Sequence, residues 1–185
     1  ATITTTTGAV SLTGSGGDTG DNNHGVVIEN GAIVESNGAA GTLSIDGTAG
    51  AGTGSIGVLI TDGTDTTVID TDGNTASISI DGTSTGVSHA VEIDGADIST
   101  GDTGTGTNAD ITITGTKTGV AGEGDGILVD NGATIGTSAD MADVTLTGSS
   151  STHVGVQVLE NSAVSTTGGT AIITIDGSSA GTSGS

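Results

Sequence analysis

The sequence predicts an all-β fold: a parallel β-solenoid of about six rungs, each built from three short strands. Three observations carry that reading. A unit of the form Gly-Val-x-Ile, turn, short apolar run, turn, Ile-Thr-Ile-Asp-Gly recurs about every 29–36 residues along the 185-residue chain. There are 36 Gly and no Phe, Tyr, Trp, Pro or Cys, so a core must be built from Val, Ile, Leu and Ala. Such small side chains suit a narrow interior in which each layer resembles the one below. Finally, apolar and hydroxyl residues alternate with period 2 in the clearest segment, and nothing recurs at helical spacing.

The units begin near residues 1, 25, 57, 90, 126 and 155, within one repeat domain spanning 1–185. The first strand reads Gly25-Val26-Val27-Ile28, Gly57-Val58-Leu59-Ile60, Ala90-Val91-Glu92-Ile93, Gly126-Ile127-Leu128-Val129 and Gly155-Val156-Gln157-Val158. A turn signal follows: Asn30-Gly31, Asp62-Gly63, Asp94-Gly95, Asn131-Gly132 and, in the last copy, Asn161-Ser162. The second strand is shorter, around Ile33-Val34, Val68-Ile69, Ile98, Ile135 and Val164. The third is the clearest, as in Leu43-Ser44-Ile45, Ile78-Ser79-Ile80 and Ile111-Thr112-Ile113, with Gly usually two residues beyond. Asn-Gly also closes hairpins, but a meander would leave every unit with its own small core. Stacking puts Val over Val and Ile over Ile in one continuous interior. Each rung offers about six inward aliphatic side chains, worth roughly 1.5–3 kcal/mol apiece when fully buried. One rung cannot offset the entropy of ordering about 30 residues, whereas stacked rungs bond above and below. The Gly-rich stretches Ala49 to Gly54, Gly101 to Gly106 and Gly119 to Gly124 exceed a minimal coil and are expected to bulge out as loops.

Charge removes several partners. Against 22 acidic residues stands a single base, Lys117, and the formal net charge is −21. Nucleic acid is excluded as a partner, because phosphate binding needs Lys and Arg. An anionic membrane surface is disfavoured for the same reason, and no apolar run is long enough to span a bilayer. So acidic a chain repels itself at low salt and is eased by divalent cations or high ionic strength. It opens at Ala1-Thr2-Ile3 and closes at Gly181-Thr182-Ser183-Gly184-Ser185, and both ends read as pieces of a longer or processed protein.

The run Gly14 to Ala32, GSGGDTGDNNHGVVIENGA, and the wider pattern GVxI–DGAxI–xTITIDGT resemble the repeats of large bacterial secreted exoproteins related to filamentous haemagglutinins and autotransporter passengers. The resemblance covers nearly the whole chain and is one of repeat style, with no diagnostic site motif. It implies a right-handed β-helix, secretion, and a role as stalk, fibre or adhesive surface.

The residue types that carry chemistry in other proteins supply the alternatives. Asp70-Thr71-Asp72-Gly73-Asn74, with Asp62 and Asp65 nearby, begins like a calcium loop but lacks the downstream Glu of an EF-hand. Calcium held by Asp62, Asp65, Asp70 and Asp72 stands beside the simpler reading that Asp favours turns without an ion. His24, His89 and His153 precede the first strand of alternate units, roughly 10 Å apart, too far to share a metal. Ser11, Ser44, Ser79, Thr112, Thr145 and Thr174 are expected to form an outward hydroxyl row, the feature behind an ice-binding alternative, with Asp46, Asp81 and Asp176 interrupting its neighbour. Val27, Leu59 and Leu128 are expected to face outward, either contacting a neighbouring chain or lying under a Gly-rich loop. A carbohydrate-active enzyme fits worst, because its groove needs bases and aromatic platforms that this chain lacks. The sequence therefore reads as a structural or adhesive repeat segment of an extracellular bacterial fibre. Its partners would be further repeats or other copies, joined end to end or laterally, with no catalytic residues and no required cofactor.

Overall fold

The computed structural model describes residues 1–73, 75–101, 108–119, 122, 124–139 and 141–180. Every regular element in it is a strand. The chain begins with β1 (Thr2–Thr5) and β2 (Val10–Ser15). Five triplets follow. They are β3 (Val26–Glu29), β4 (Ile33–Ser36) and β5 (Thr42–Thr48); then β6 (Val58–Thr61), β7 (Val68–Thr71) and β8 (Ser77–Ser84). Next come β9 (Val91–Asp94), β10 (Asp97–Thr100) and β11 (Ile111–Lys117), and β12 (Ile127–Asp130), β13 (Thr134–Thr137) and β14 (Val144–Ser150). The last triplet is β15 (Val156–Val158), β16 (Ala163–Thr166) and β17 (Ile173–Ser179).

Each triplet is one turn of a coil, and like strands stack into three parallel sheets. Sheet I holds β3, β6, β9, β12 and β15; sheet II holds β1, β4, β7, β10, β13 and β16; sheet III holds β2, β5, β8, β11, β14 and β17. The fold is thus the three-stranded parallel solenoid that the repeat predicts. Sheets II and III have six strands and sheet I five, because the rung opening at residue 1 contributes only β1 and β2 among the described residues.

Register explains the core. In sheet III, Leu12, Ile45, Ile80, Ile113, Leu146 and Ile175 form one unbroken column. Sheet I stacks Ile28, Ile60, Ile93, Val129 and Val158, and sheet II stacks Val34, Ile69, Ile98, Ile135 and Val164. These columns converge on one aliphatic cluster, and in the middle rungs its members are fully buried. Two further columns let the sheets meet. The sheet III glycines Gly14, Gly47, Gly82, Gly115, Gly148 and Gly177 lie in register on the inward face, and at the first five of them the chain that opens the next sheet I strand passes close by. On sheet II an inward hydroxyl column, Ser36, Thr71, Thr100 and Thr137, closes the strand ends. Ser36 Oγ donates to the Gly8 carbonyl at 2.9 Å and Thr100 Oγ1 to the Ala109 carbonyl at 2.8 Å, satisfying backbone that the turn leaves unpaired.

The sheet I to sheet II turns follow the Asx-Gly signals. Asn30 and Gly31 have φ of 56° and 69°, and Asn131 and Gly132 of 56° and 81°, a left-handed pair that Asn and Gly tolerate best. The stretch Ala49 to Gly54 lies outside the strands, as expected, but it does not hang free. Ala49 and Gly50 are buried, Ala49 N–H donates to the Thr83 carbonyl and Gly50 N–H to the Asn23 carbonyl, so successive loops stack as the strands do. Of the other two expected loops, residues 102–106 and residues 120, 121 and 123 lie outside the described residues.

Candidate functional site

The four aspartates expected around calcium divide into two pairs. Asp62 and Asp65 occupy the turn that leads into β7, where Asp62 Oδ1 accepts the Thr67 N–H at 2.6 Å and so closes the turn itself. Asp65 stands over Gly31 of the rung beneath. Asp70 and Asp72 lie at the other end of β7, roughly 10 Å of extended backbone away. Burial raises the Asp70 carboxyl above its ordinary range, a hydrogen bond from Ser99 Oγ opposes this, and Asp72 and Glu35 push it up further. Asn74 lies outside the described residues. Among the described residues no three His, Cys, Asp or Glu side chains are grouped so as to hold a metal ion.

The outward columns stand where alternation places them. Ser11, Ser44, Ser79, Thr112, Thr145 and Thr174 are in register along sheet III. Beside them runs Thr13, Asp46, Asp81, Thr114, Thr147 and Asp176, so the flat Thr-x-Thr face is confined to the β11 and β14 rungs. Burial, with Asp46 alongside, raises the Asp81 carboxyl. On sheet I the outward column is Val27, Leu59, Glu92, Leu128 and Gln157. Val27 is exposed, whereas Leu59 and Leu128 are half-buried.

Glu92 sits between those two leucines, and burial, then the nearby Asp94 and Asp130, lift its carboxyl to about 7. Its folded value lies above the unfolded one. The stability it contributes is therefore present in full below about pH 4.5 and lost as pH rises through about 7. Glu92→Gln should accordingly stabilise the protein at pH 8 by about 2 kcal/mol, allowing for the solvent that still reaches the carboxyl. The gain should vanish at pH 4. Paired urea melts at the two values test this, and an equal gain at both would disprove the origin given.

A buried polar corner between sheets III and I escaped the sequence reading. In β11 the inward phase of Ile111, Ile113 and Gly115 continues to Lys117, which is in register with Ser84 and Ser150 and only 2% exposed. Its Nζ donates to the Gly119 carbonyl at 3.3 Å and to Thr152 Oγ1 at 3.0 Å. Gly124 leaves room for the stem, since a Cβ there would lie 2.7 Å from Lys117 Cε. Burial lowers the Lys117 ammonium below its ordinary value, and Asp125 opposes that shift.

Asp125, 1% exposed, is the second half of the corner. Its Oδ1 accepts the Val154 N–H at 3.2 Å and pairs with His153 Nδ1. A carboxylate oxygen can only accept there, so His153 Nδ1 carries the proton. His89 plays the opposite part: its Nδ1 accepts the Asp125 backbone N–H at 3.0 Å and is therefore bare, while lying 3.5 Å from Asp125 Oδ2. Burial lowers the His89 value below 6.5; Asp125 opposes this, and His153 and Lys117 add to it. His24 repeats the acceptor role two rungs earlier, its Nδ1 taking the Ile56 N–H at 3.2 Å. The histidines are thus corner residues, as their spacing predicts. What spacing did not show is that Asp125, in the intervening rung, touches two of them.

No protein-family model, no curated protein and no solved structure matches this chain.

Proposed function

We propose that the chain is a structural, adhesive repeat segment of an extracellular fibre, with further rungs of the same kind continuing the stack. The observation that carries this reading is the form of the two end rungs. In the sheet III column, Ile113 and Leu146 are fully buried, but Ile173 and Ile175 of β17 are 41% and 51% exposed, with no strand above them among the described residues. At the other end a hollow of about 610 Å³, lined by Ile3, Leu12, Val26, Ile28 and Val34, opens on the core. Both faces are cross-sections of one repeat, so each presents strand edges and aliphatic side chains in the register the other needs. The expected mechanism is mechanical: continuous ladders and a dry stack make a stiff rod. Surface location and adhesion rest on the style of the repeats. Catalysis is not part of this reading, because the single lysine is buried in the corner and the chain has neither Arg nor aromatic side chains.

Electron microscopy of the purified chain, with calcium and with chelator, tests the proposal. Filaments with a repeat near 4.8 Å along the axis are expected at high concentration. Ile175→Asp should abolish them while leaving the single particle folded, because that side chain is half exposed before association. Filaments that disperse on chelation would favour calcium at the Asp-rich turns that flank β7. Short particles at every concentration would reject self-stacking and leave the chain as a passive slice of a longer fibre.

A further inference from the structure

We propose that the corner joining the β9, β12 and β15 rungs is a proton-operated latch, in which neutral His89 holds the Asp125 backbone and protonated His89 lets it go. Geometry sets the two states apart. With Nδ1 bare, His89 accepts the Asp125 N–H at 3.0 Å, a bond between successive turns at a place where the backbone is shielded from water. A proton on Nδ1 removes that acceptor and leaves a buried donor without a partner. The same proton faces Asp125 Oδ2, now 3.5 Å away, so the imidazolium gains a carboxylate as it loses the amide. The ring must turn or shift to use it, and the strand start at Gly126 must follow, because Asp125 and Gly126 carbonyls accept the Ala90 and Val91 N–H groups at 3.0 Å.

The carboxylate is already engaged from the far side. Among the described residues, the charged and titratable groups facing it are His89 from the corner before β9, Lys117 from the end of β11, and His153 from the corner before β15. His153 Nδ1 and the Val154 N–H share Oδ1, and they belong to the next rung. A movement of Asp125 therefore loosens three turns at once. The sign follows from burial: the folded value of His89 is below 6.5, so the unfolded chain takes up the proton first. The stability held in the latch is present in full above pH 6.5 and is lost as pH falls through the lowered folded value. Glu92 titrates in an overlapping range with the opposite sign, so a global melt cannot isolate the latch and a local signal is needed.

Nuclear magnetic resonance between pH 8 and pH 5 supplies one. The Asp125 amide shift should move with the same midpoint as the His89 Cε1–H, below 6.5. Protection of that amide against hydrogen exchange, corrected for the intrinsic rate, should fall at least tenfold from pH 7.5 to pH 5.5, while Ile113 in mid-sheet keeps its protection. His89→Gln keeps an acceptor, Oε1, but no titration, and should flatten the Asp125 response. An Asp125 amide that ignores the His89 midpoint in the native protein would overturn the latch, and so would a pH response surviving in His89→Gln. Should that variant fail to fold, the comparison of midpoints in the native protein decides alone.

Discussion

Gly115→Ala is expected to destabilise the protein by about 3 kcal/mol or more, despite adding one methyl group to a chain rich in alanine. The side chain at this position points inward, at the place where the chain turns from sheet III toward the next strand of sheet I. An added Cβ would overlap the Gly126 carbonyl oxygen, lie 2.6 Å from its carbon and 2.8 Å from Ile127 Cγ1. Two of these are backbone atoms held by the ladder, since Gly126 N–H donates to the Val154 carbonyl and Ile127 N–H to that of Gly155. They can retreat only by breaking bonds between rungs. Because Gly115 pairs with both Gly82 and Gly148, the damage falls in the middle of the stack and weakens the contacts on either side. Position should grade the effect. At Gly177 in the last rung the nearest atom is 3.0 Å away, so the same change costs less there. At Gly169 nothing lies within 4 Å, and alanine should be neutral to within about 0.5 kcal/mol. Urea melts of the three variants check the order. A Gly115→Ala loss under 1 kcal/mol would mean that the sheets do not meet as closely as described.

That glycine column shows where reading the sequence succeeds and where it stops. Gly after Ile-x-Ile-Asp was plain in the repeat, because spacing is visible in one dimension. Its reason was not, because the carbonyl avoided at Gly14, Gly47, Gly82, Gly115 and Gly148 belongs to a residue 7 to 11 positions later, across a corner. The three sheets, their parallel pairing and the inward Val and Ile columns were all legible, since period 2 and a repeated length fix which side chains share a face. The hydroxyl column Ser36, Thr71, Thr100 and Thr137 was also within reach. Each lies two residues after an inward aliphatic residue, Val34, Ile69, Ile98 or Ile135. Lys117 could have been placed by the same phase, four residues beyond Ile113, had alternation been followed past the glycine. Asp125 could not. Its partners His89 and His153 lie 36 and 28 residues away in rungs of unequal length, and only the fitted register shows that three corners converge. The candidate calcium residues show the reverse case. Asp62, Asp65, Asp70 and Asp72 are close in sequence, yet an extended strand holds the two pairs apart.

Truncating the sheet III column from end to end should give a peaked profile of stability losses, and its far end reports on assembly. Leu12, Ile45, Ile80, Ile113, Leu146 and Ile175 occupy one column, so the same change to alanine meets nearly the same neighbours at every interior step. Ile113, fully buried between Ile80 and Leu146, should lose about 3–4 kcal/mol, the transfer term plus a cavity that rigid ladders cannot close. Ile175, 51% exposed, has a strand neighbour on one side only among the described residues and should lose about 1 kcal/mol in the isolated chain. If another copy stacks on β17, Ile175 becomes an interior member of a longer column. Binding to the folded state alone then makes its cost depend on concentration. Melts of Ile175→Ala at micromolar and near-millimolar protein should therefore diverge, the loss climbing toward that of Ile113→Ala, while the Ile113 value stays fixed. A flat Ile175 cost of about 1 kcal/mol at both concentrations would mean that the end face is not covered by its own kind. The same six substitutions thus measure the core and, at its open end, whether the rod grows.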